Sequence, residues 1–235
     1  MRVSEMLPET GESADSTTDV GRAWLARRYR RAPGGYVRLN MVTTLTGSAS
    51  GGDGTSDTIT SPTDRSILGI IRRDADVVVV GAESVRAEGY VVPRTAALAI
   101  VSRSGRLDGH RLAGADADRV VLVVPDGVVA DAPAGVSVIT AGPGPDLSPA
   151  RVIDALSSRG WQRVVCEGGP TIAAQFLTAG VIDEICLTIA PRIGPVRHPV
   201  LPVSTDVSTR VTGALMDAAG FSYLRLSVDA RAIRG

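Results

Sequence analysis

The sequence predicts an α/β fold: a mixed, mainly parallel sheet with helices on both faces, closing on an antiparallel C-terminal pair. Three observations carry this. Asp76-Val77-Val78-Val79-Val80 and Val164-Val165-Cys166 are short continuous apolar runs that lead into glycine, the pattern of strands covered on both faces. Segments with helical apolar spacing alternate with such runs through most of the chain. The last part, Ser208 to Met216 and Phe221 to Val228, alternates apolar with polar residues around a short Asp217-to-Gly220 connection, as paired antiparallel strands do.

Taken in order, residues 1 to about 20 are rich in Ser, Thr, Glu, Asp and Gly and read as a tail, so that 1–33 forms an N-terminal tail or extension and 34–235 a single domain. Trp24 to Arg31 reads as a basic helical turn whose Arg27, Arg28, Arg30 and Arg31 make a solvated face or a subunit contact rather than a phosphate patch. Pro33-Gly34-Gly35 breaks the chain before a strand over Tyr36 to Thr43. The Gly/Ser/Thr-rich stretch Thr44 to Asp57 is too long for a tight hairpin and reads as a ligand lid. Ser61-Pro62-Thr63-Asp64 supplies an N-cap, a first-turn proline and an acid, and Ile67, Leu68, Ile70 and Ile71 make the buried face of the helix that Arg72 and Arg73 close. The strand Asp76 to Val80 runs into Gly81-Ala82-Glu83-Ser84, a strand-to-glycine junction.

A strand over Leu98 to Val101 ends in Ser102-Arg103-Ser104, where hydroxyls and a guanidinium could hold a phosphate. Arg119 to Val124 and Val136 to Thr140 are further short strands, and Ser148-Pro149 caps a helix that runs through Ser158. Arg163 to Gly180 then reads as a buried strand, a Gly168-Gly169 turn and a helix opening at Pro170. The first-turn N–H groups near Thr171, with the positive end of the helix dipole, make an anion site. Asp183 to Ala190 is the strand before the antiparallel pair.

Composition narrows the chemistry. With 25 basic and 25 acidic residues the formal net charge is zero, which gives no electrostatic case for nucleic acid or an anionic membrane as partner. Every basic residue is arginine, which excludes a P-loop lysine and a Schiff-base lysine. Cys166 and Cys186 sit inside apolar strand patterns and read as reduced buried thiols in a cytoplasmic protein. His110 and His198 fall in loops, too few for a metal cluster or a serine-type triad, and no metal is expected. No run approaches a membrane span, and no basic-then-apolar signal opens the chain.

The ordered set of a Thr/Gly loop, Ile59-Thr60 with Asp64, Val80 to Glu88, Ser102-Arg103 and Glu167-Gly168-Gly169-Pro170-Thr171 resembles the pyrimidine reductase family of riboflavin biosynthesis, the reductase domain of the bifunctional deaminase-reductase. The resemblance runs from about Tyr36 to Val228. It implies a dihydrofolate-reductase-like three-layer fold and an NADPH-dependent enzyme that reduces the ribose of a phosphoribosylaminopyrimidine to ribityl. Carried over residue by residue, it implies cofactor contacts from Thr60, Asp64, Gly81, Ala82, Glu83, Ser84, Ser102, Arg103, Gly168, Gly169, Pro170 and Thr171. It implies substrate contacts from Arg72, Glu88 and Glu167, with Glu88 as catalytic proton source, and a homodimer. An arginine without a competing acid at Ser102-Arg103 favours a 2′-phosphate, hence NADPH.

One departure stands out. Members of the family typically carry Ser-Leu-Asp-Gly after the first strand, whereas this chain has Thr44-Leu45-Thr46-Gly47, so Thr46 keeps a hydrogen-bonding group at a substrate position and loses the charge. Thr46 motivates two alternatives, a related pterin reductase and a nucleotide-binding paralogue without turnover. The zinc deaminase signature often fused to this reductase does not occur in the sequence.

Overall fold

The computed structural model describes all residues except 89–91, 111, 113–117, 145 and 230–235, and it leaves out the side chains of Ala87 and Glu88. The chain begins with strands β1 (Arg2–Leu7) and β2 (Ser13–Asp15), helix α1 (Asp19–Tyr29) and strand β3 (Tyr36–Thr44). Helix α2 (Pro62–Arg73), strand β4 (Val77–Gly81), helix α3 (Ala82–Glu88) and strands β5 (Ala97–Val101), β6 (Val120–Val124) and β7 (Ser137–Thr140) come next. Helix α4 (Pro149–Ser157), strand β8 (Arg163–Gly168), helix α5 (Pro170–Thr178) and strands β9 (Glu184–Ala190), β10 (Thr209–Asp217) and β11 (Ser222–Val228) complete it.

Among the described residues the strands form one sheet in the order β2-β1-β10-β11-β9-β3-β8-β4-β5-β6-β7. From β9 to β7 neighbouring strands are parallel, and from β2 to β9 they are antiparallel, which matches the mixed sheet with an antiparallel C-terminal pair. Strand periodicity splits the core in two. Val78, Val80, Leu98, Ile100 and Leu122 join one cluster with Trp24 and Leu25 of α1 and Ile67 and Ile71 of α2. Val77, Val79, Ala99, Val121 and Val123 join the other, under Val152 and Leu156 of α4 and Phe176 and Leu177 of α5. Both faces of the central strands are therefore covered, which is why those strands read as unbroken apolar runs.

Residues 2–15 correct the expected tail. β1 pairs antiparallel with β10, and β2 with β1. Only Val3 and Glu5 of β1 are buried, so local composition hid an order that the edge of β10 supplies. Arg28 of α1 ties the extension down: it donates to Glu5 Oε2 at 2.8 Å, is also ion-paired with Glu12, and lies over the Trp24 ring at 3.7 Å. Thr18 caps α1 through Gly21 N, and Ser61 caps α2 by accepting from Asp64 N at 3.1 Å. The segment after Val80, read as a glycine turn, is the short helix α3.

At the sheet centre Arg38 of β3 is fully buried and donates through Nε to Glu184 Oε2 at 2.6 Å and through Nη2 to the Tyr29 carbonyl at 2.9 Å. Cys166 and Cys186 stand on the two strands beside β3 and belong to opposite core clusters, so they face away from each other and cannot form a disulfide. Burial pushes each thiol up to about 12.

Candidate active site

β4, β5 and β8 run parallel and end side by side, and the segments leaving their carboxyl ends build one cleft. Gly81 ends β4 where a Cβ would lie 3.1 Å from Ile172 Cγ1. Gly168 ends β8 at φ +80°, and Gly169 N donates to Ser84 Oγ at 3.1 Å, joining the starts of α3 and α5. Outside these strand ends opens a cleft of about 820 Å³, bordered by Gly81 to Glu83, Ser102 to Ser104, Thr171 and the start of α4 at Ser148-Pro149. Neither Gly169 before α5 nor Ser148 before α4 provides a side-chain cap, and neither helix has an acid in its first turn. The starts of both helices, Ser148-Pro149 and Thr171-Ile172, border the cleft, and Asp146 stands two residues before the start of α4.

Of the sequence-derived cofactor residues, Gly81, Ala82, Glu83, Ser102, Arg103 and Thr171 line this cleft, whereas Ser84, Gly168, Gly169 and Pro170 adjoin lining residues in the chain without bordering it themselves. Arg103 does not stand alone as the sequence suggested. Asp146 Oδ1 lies 3.7 Å from Arg103 Nη1, both side chains being largely exposed. An acid far along the chain competes for the guanidinium because the loop before α4 folds back across the end of β5.

Thr60 and Asp64 do not border this cleft, and the helix that Asp64 opens packs on the face of the sheet away from α4 and α5. Asp64, in the first turn of α2, is buried, and its carboxylate accepts from Thr60 Oγ1 and from Thr188 Oγ1 of β9, the latter at 2.5 Å. Burial pushes this carboxyl above its usual range, and the two hydroxyl donors offset part of that rise.

The substrate residues derived from sequence gather in part. Arg72, at the end of α2, donates through Nε to Glu167 Oε1 at 2.7 Å and through Nη2 to Glu167 Oε2 at 2.6 Å. Glu167 is the extra residue of a β-bulge: Val79 of β4 pairs with Cys166, and Val80 already pairs with Gly168. The bulge aims the Glu167 carboxylate at α2, as bulges beside functional sites do. Glu88 ends α3 by its backbone, and its carboxylate lies outside the described side chains.

Thr46 lies apart from these residues. Its hydroxyl donates to Gly194 O at 2.8 Å and meets Thr44 Oγ1 at 3.0 Å, and both interactions hold the tight turn that ends β3. The stretch read as a lid is stitched down in its first half. Leu45 N donates to Arg192 O, Ala49 N to His198 O and Val200 N to Gly47 O, while Ser50 Oγ and His198 Nδ1 are 2.7 Å apart. In its second half Asp53 accepts from Thr55 and Thr58.

Sequence reasoning missed Arg86, Asp146, Gln175 and Ser204, which also line the cleft. Only Asp146 had a local signal, lying just before the Ser148-Pro149 helix start. The others come from exposed positions whose neighbours are set by tertiary folding.

A mixed sheet with helices on both faces and a cleft outside the carboxyl ends of its parallel strands gives the chain the architecture of an α/β protein with its pocket at the strand ends. The model of the RibD C-terminal domain matches residues 35–210, and the chain belongs to that family. It is 32% identical over 198 residues to the riboflavin biosynthesis protein RibD of Mycobacterium tuberculosis, covering 83% of this chain and 52% of that one. The chain therefore spans about half the length of this curated relative. It is 26% identical over 185 residues to the 2,5-diamino-6-ribosylamino-4(3H)-pyrimidinone 5′-phosphate reductase of Methanothermobacter thermautotrophicus, covering 67% of this chain and 78% of the relative. The fold is shared with a pyrimidine reductase-like protein of Corynebacterium diphtheriae, at TM-score 0.68 and 24% identity, over 83% of this chain and 92% of the other. It is shared also with the riboflavin biosynthesis reductase of Saccharomyces cerevisiae, at TM-score 0.70 and 14% identity, over 92% and 100%.

Proposed function

We propose that this chain is a pyrimidine reductase of riboflavin biosynthesis that reduces the ribose of a 5-amino-6-(5-phosphoribosylamino)uracil, or of its diamino pyrimidinone analogue, to ribityl, with NADPH as cofactor. Family membership and the names of the two curated relatives support the reaction class. The observation that carries the cofactor is the pairing, in one cleft, of two helix N-termini lacking side-chain caps with Ser102-Arg103 at a strand end. That donor set suits a ligand with separated phosphates, and a cleft of about 820 Å³ suits a dinucleotide. The backbone at Gly81 to Ser84 and Gly168 to Thr171 would hold the pyrophosphate, and Ser102 and Arg103 the 2′-phosphate.

When bound, the reduced nicotinamide supplies the hydride. This chain's own residues position the acceptor carbon, and such orientation is worth up to roughly 7–11 kcal/mol in well-aligned reactions. In this reading Arg72 shares its guanidinium with the substrate phosphate. Glu167, thereby loosened, takes ribose hydroxyls or the pyrimidine edge, and Glu88 or a water held by it supplies the proton.

The test is absorbance at the NADPH band with the pyrimidine ribotide. Oxidation at a rate proportional to enzyme is expected, and no oxidation at high enzyme concentration sinks the assignment. Dihydrofolate in the same assay separates the pterin reading, and a thermal shift with NADPH but no turnover on either substrate marks a paralogue that only binds. We further propose a homodimer in the cytoplasm. Support comes from an apolar sheet face on β10 and β11, where Val211 and Met216 are 41% and 43% exposed beside Leu226. Val211→Glu with Met216→Glu is expected to halve the mass seen by sedimentation, and an unchanged mass rejects this face.

A further inference from the structure

The cleft carries at one point the two chemistries that distinguish the two nicotinamide dinucleotides. A guanidinium beside the adenosine ribose accommodates a 2′-phosphate, and a carboxylate there accepts from a free 2′-hydroxyl while repelling a phosphate. Arg103 and Asp146 bring both, 3.7 Å apart, at the rim of the same cleft. Their side chains are 72% and 86% exposed, so the pair between them is weak and either partner can turn to a ligand instead. Ser102, Ser104 and the start of α4 border the same cleft as Arg103, and their hydroxyls are of the kind that donate to a phosphate. Glu83 and Arg86 line the same cleft and leave its rim with as many acids as arginines.

Resting on the NADPH reading of this cleft, we propose that Asp146 is a specificity-determining residue: it opposes Arg103 so that the site accepts NADH as well as NADPH, with only modest discrimination. A phosphorylated ribose draws Arg103 away from Asp146 and bears the repulsion of the carboxylate left behind. An unphosphorylated ribose donates its 2′-hydroxyl to Asp146 and leaves the ion pair nearly intact. Asp146 lies before the start of α4, is largely exposed and takes no part in the core, so its replacement leaves the fold alone.

The experiment measures the Kd of NADPH and of NADH for the wild-type chain, Asp146→Asn and Arg103→Ala by quenching of protein fluorescence, with no substrate needed. The expected result is that the wild type binds both dinucleotides within roughly tenfold of each other. Asp146→Asn tightens NADPH several-fold and does not tighten NADH, and Arg103→Ala reverses the preference. Equal shifts for both dinucleotides in Asp146→Asn, or none, overturn the selector role while the cleft stands as a dinucleotide site. Binding of neither dinucleotide by the wild type overturns the cofactor reading and this inference together.

Discussion

Arg72 and Glu167 face each other fork to fork, two parallel hydrogen bonds of 2.7 and 2.6 Å joining the end of α2 to the bulge of β8. Each side chain alone reads as a substrate contact, and together they neutralise one another. Glu167 is almost fully buried and Arg72 is a quarter exposed, so removing one partner deprives a poorly hydrated charge of two hydrogen bonds. Glu167→Ala is expected to cost about 1–3 kcal/mol, less than a fully buried pair because Arg72 reaches water. A double-mutant cycle with Arg72→Ala by urea denaturation is expected to return a coupling of roughly 1–2 kcal/mol, and additive effects would show that the pair contributes nothing.

Gly168→Ala is expected to lower stability by about 1–2 kcal/mol from backbone conformation alone, because φ is +80° there. The new Cβ would also lie 3.1 Å from Met41 Sδ, a contact the flexible thioether can relieve by moving. Thermal melts give the stability. NADPH titration is expected to weaken in parallel, since the same turn presents the N–H groups at the start of α5.

Asp64 should make stability fall with rising pH within a narrow window. Burial raises its carboxyl in the folded state, with the Thr188 and Thr60 donors offsetting part of the rise, so the folded chain holds this proton more tightly than the unfolded one. Stability is complete below the ordinary carboxylate value of about 4, declines as pH climbs from there through Asp64's raised value, and is level beyond it. Asp64→Asn is expected to lack that decline. Urea midpoints for both proteins across the window decide the matter, and parallel curves would count against a raised carboxyl.

Arg28→Ala tests the extension. Burial pushes the Glu5 carboxyl up, yet hydrogen bonds from Arg28 and Thr10 outweigh it and hold it below its usual value. Glu5 thus contributes stability that is present above the unfolded value and lost as pH falls through the lowered one. Without Arg28 a loss of about 1–3 kcal/mol is expected near neutral pH, since Glu5 is left buried with Thr10 alone. Dinucleotide affinity is expected to stay unchanged, because no residue of the extension borders the cleft. A matching loss of affinity would tie the extension to the site.

Local rules are legible where the residues that obey them act locally. Val77 to Val80 announce a doubly covered strand, Ser61-Pro62 announces the start of α2, and Gly168-Gly169 announces a turn onto a helix; all three stand as read. β1 escaped because one of its two buried residues, Glu5, is a carboxylate that leaves no apolar alternation to read, and the strand forms against β10. The Thr44-to-Asp57 stretch was legible as a loop but not as a fastened one, since its partners lie at Arg192 to Val200. Asp146 beside Arg103 and Arg72 against Glu167 are pairings between distant segments, and one residue's chemistry does not disclose which charge the fold sets opposite it.

The two thiols on either side of β3 give the molecule an internal clock. Each is fully buried and held in its unreactive protonated form well past neutral pH, one under each layer of helices. A thiol reagent can reach Cys186 only when the layer of α1 and α2 lifts, and Cys166 only when the layer of α4 and α5 does. The two modification rates therefore time the opening of the two layers separately, and a dinucleotide seated at the starts of α4 and α5 should slow the Cys166 clock more than the other.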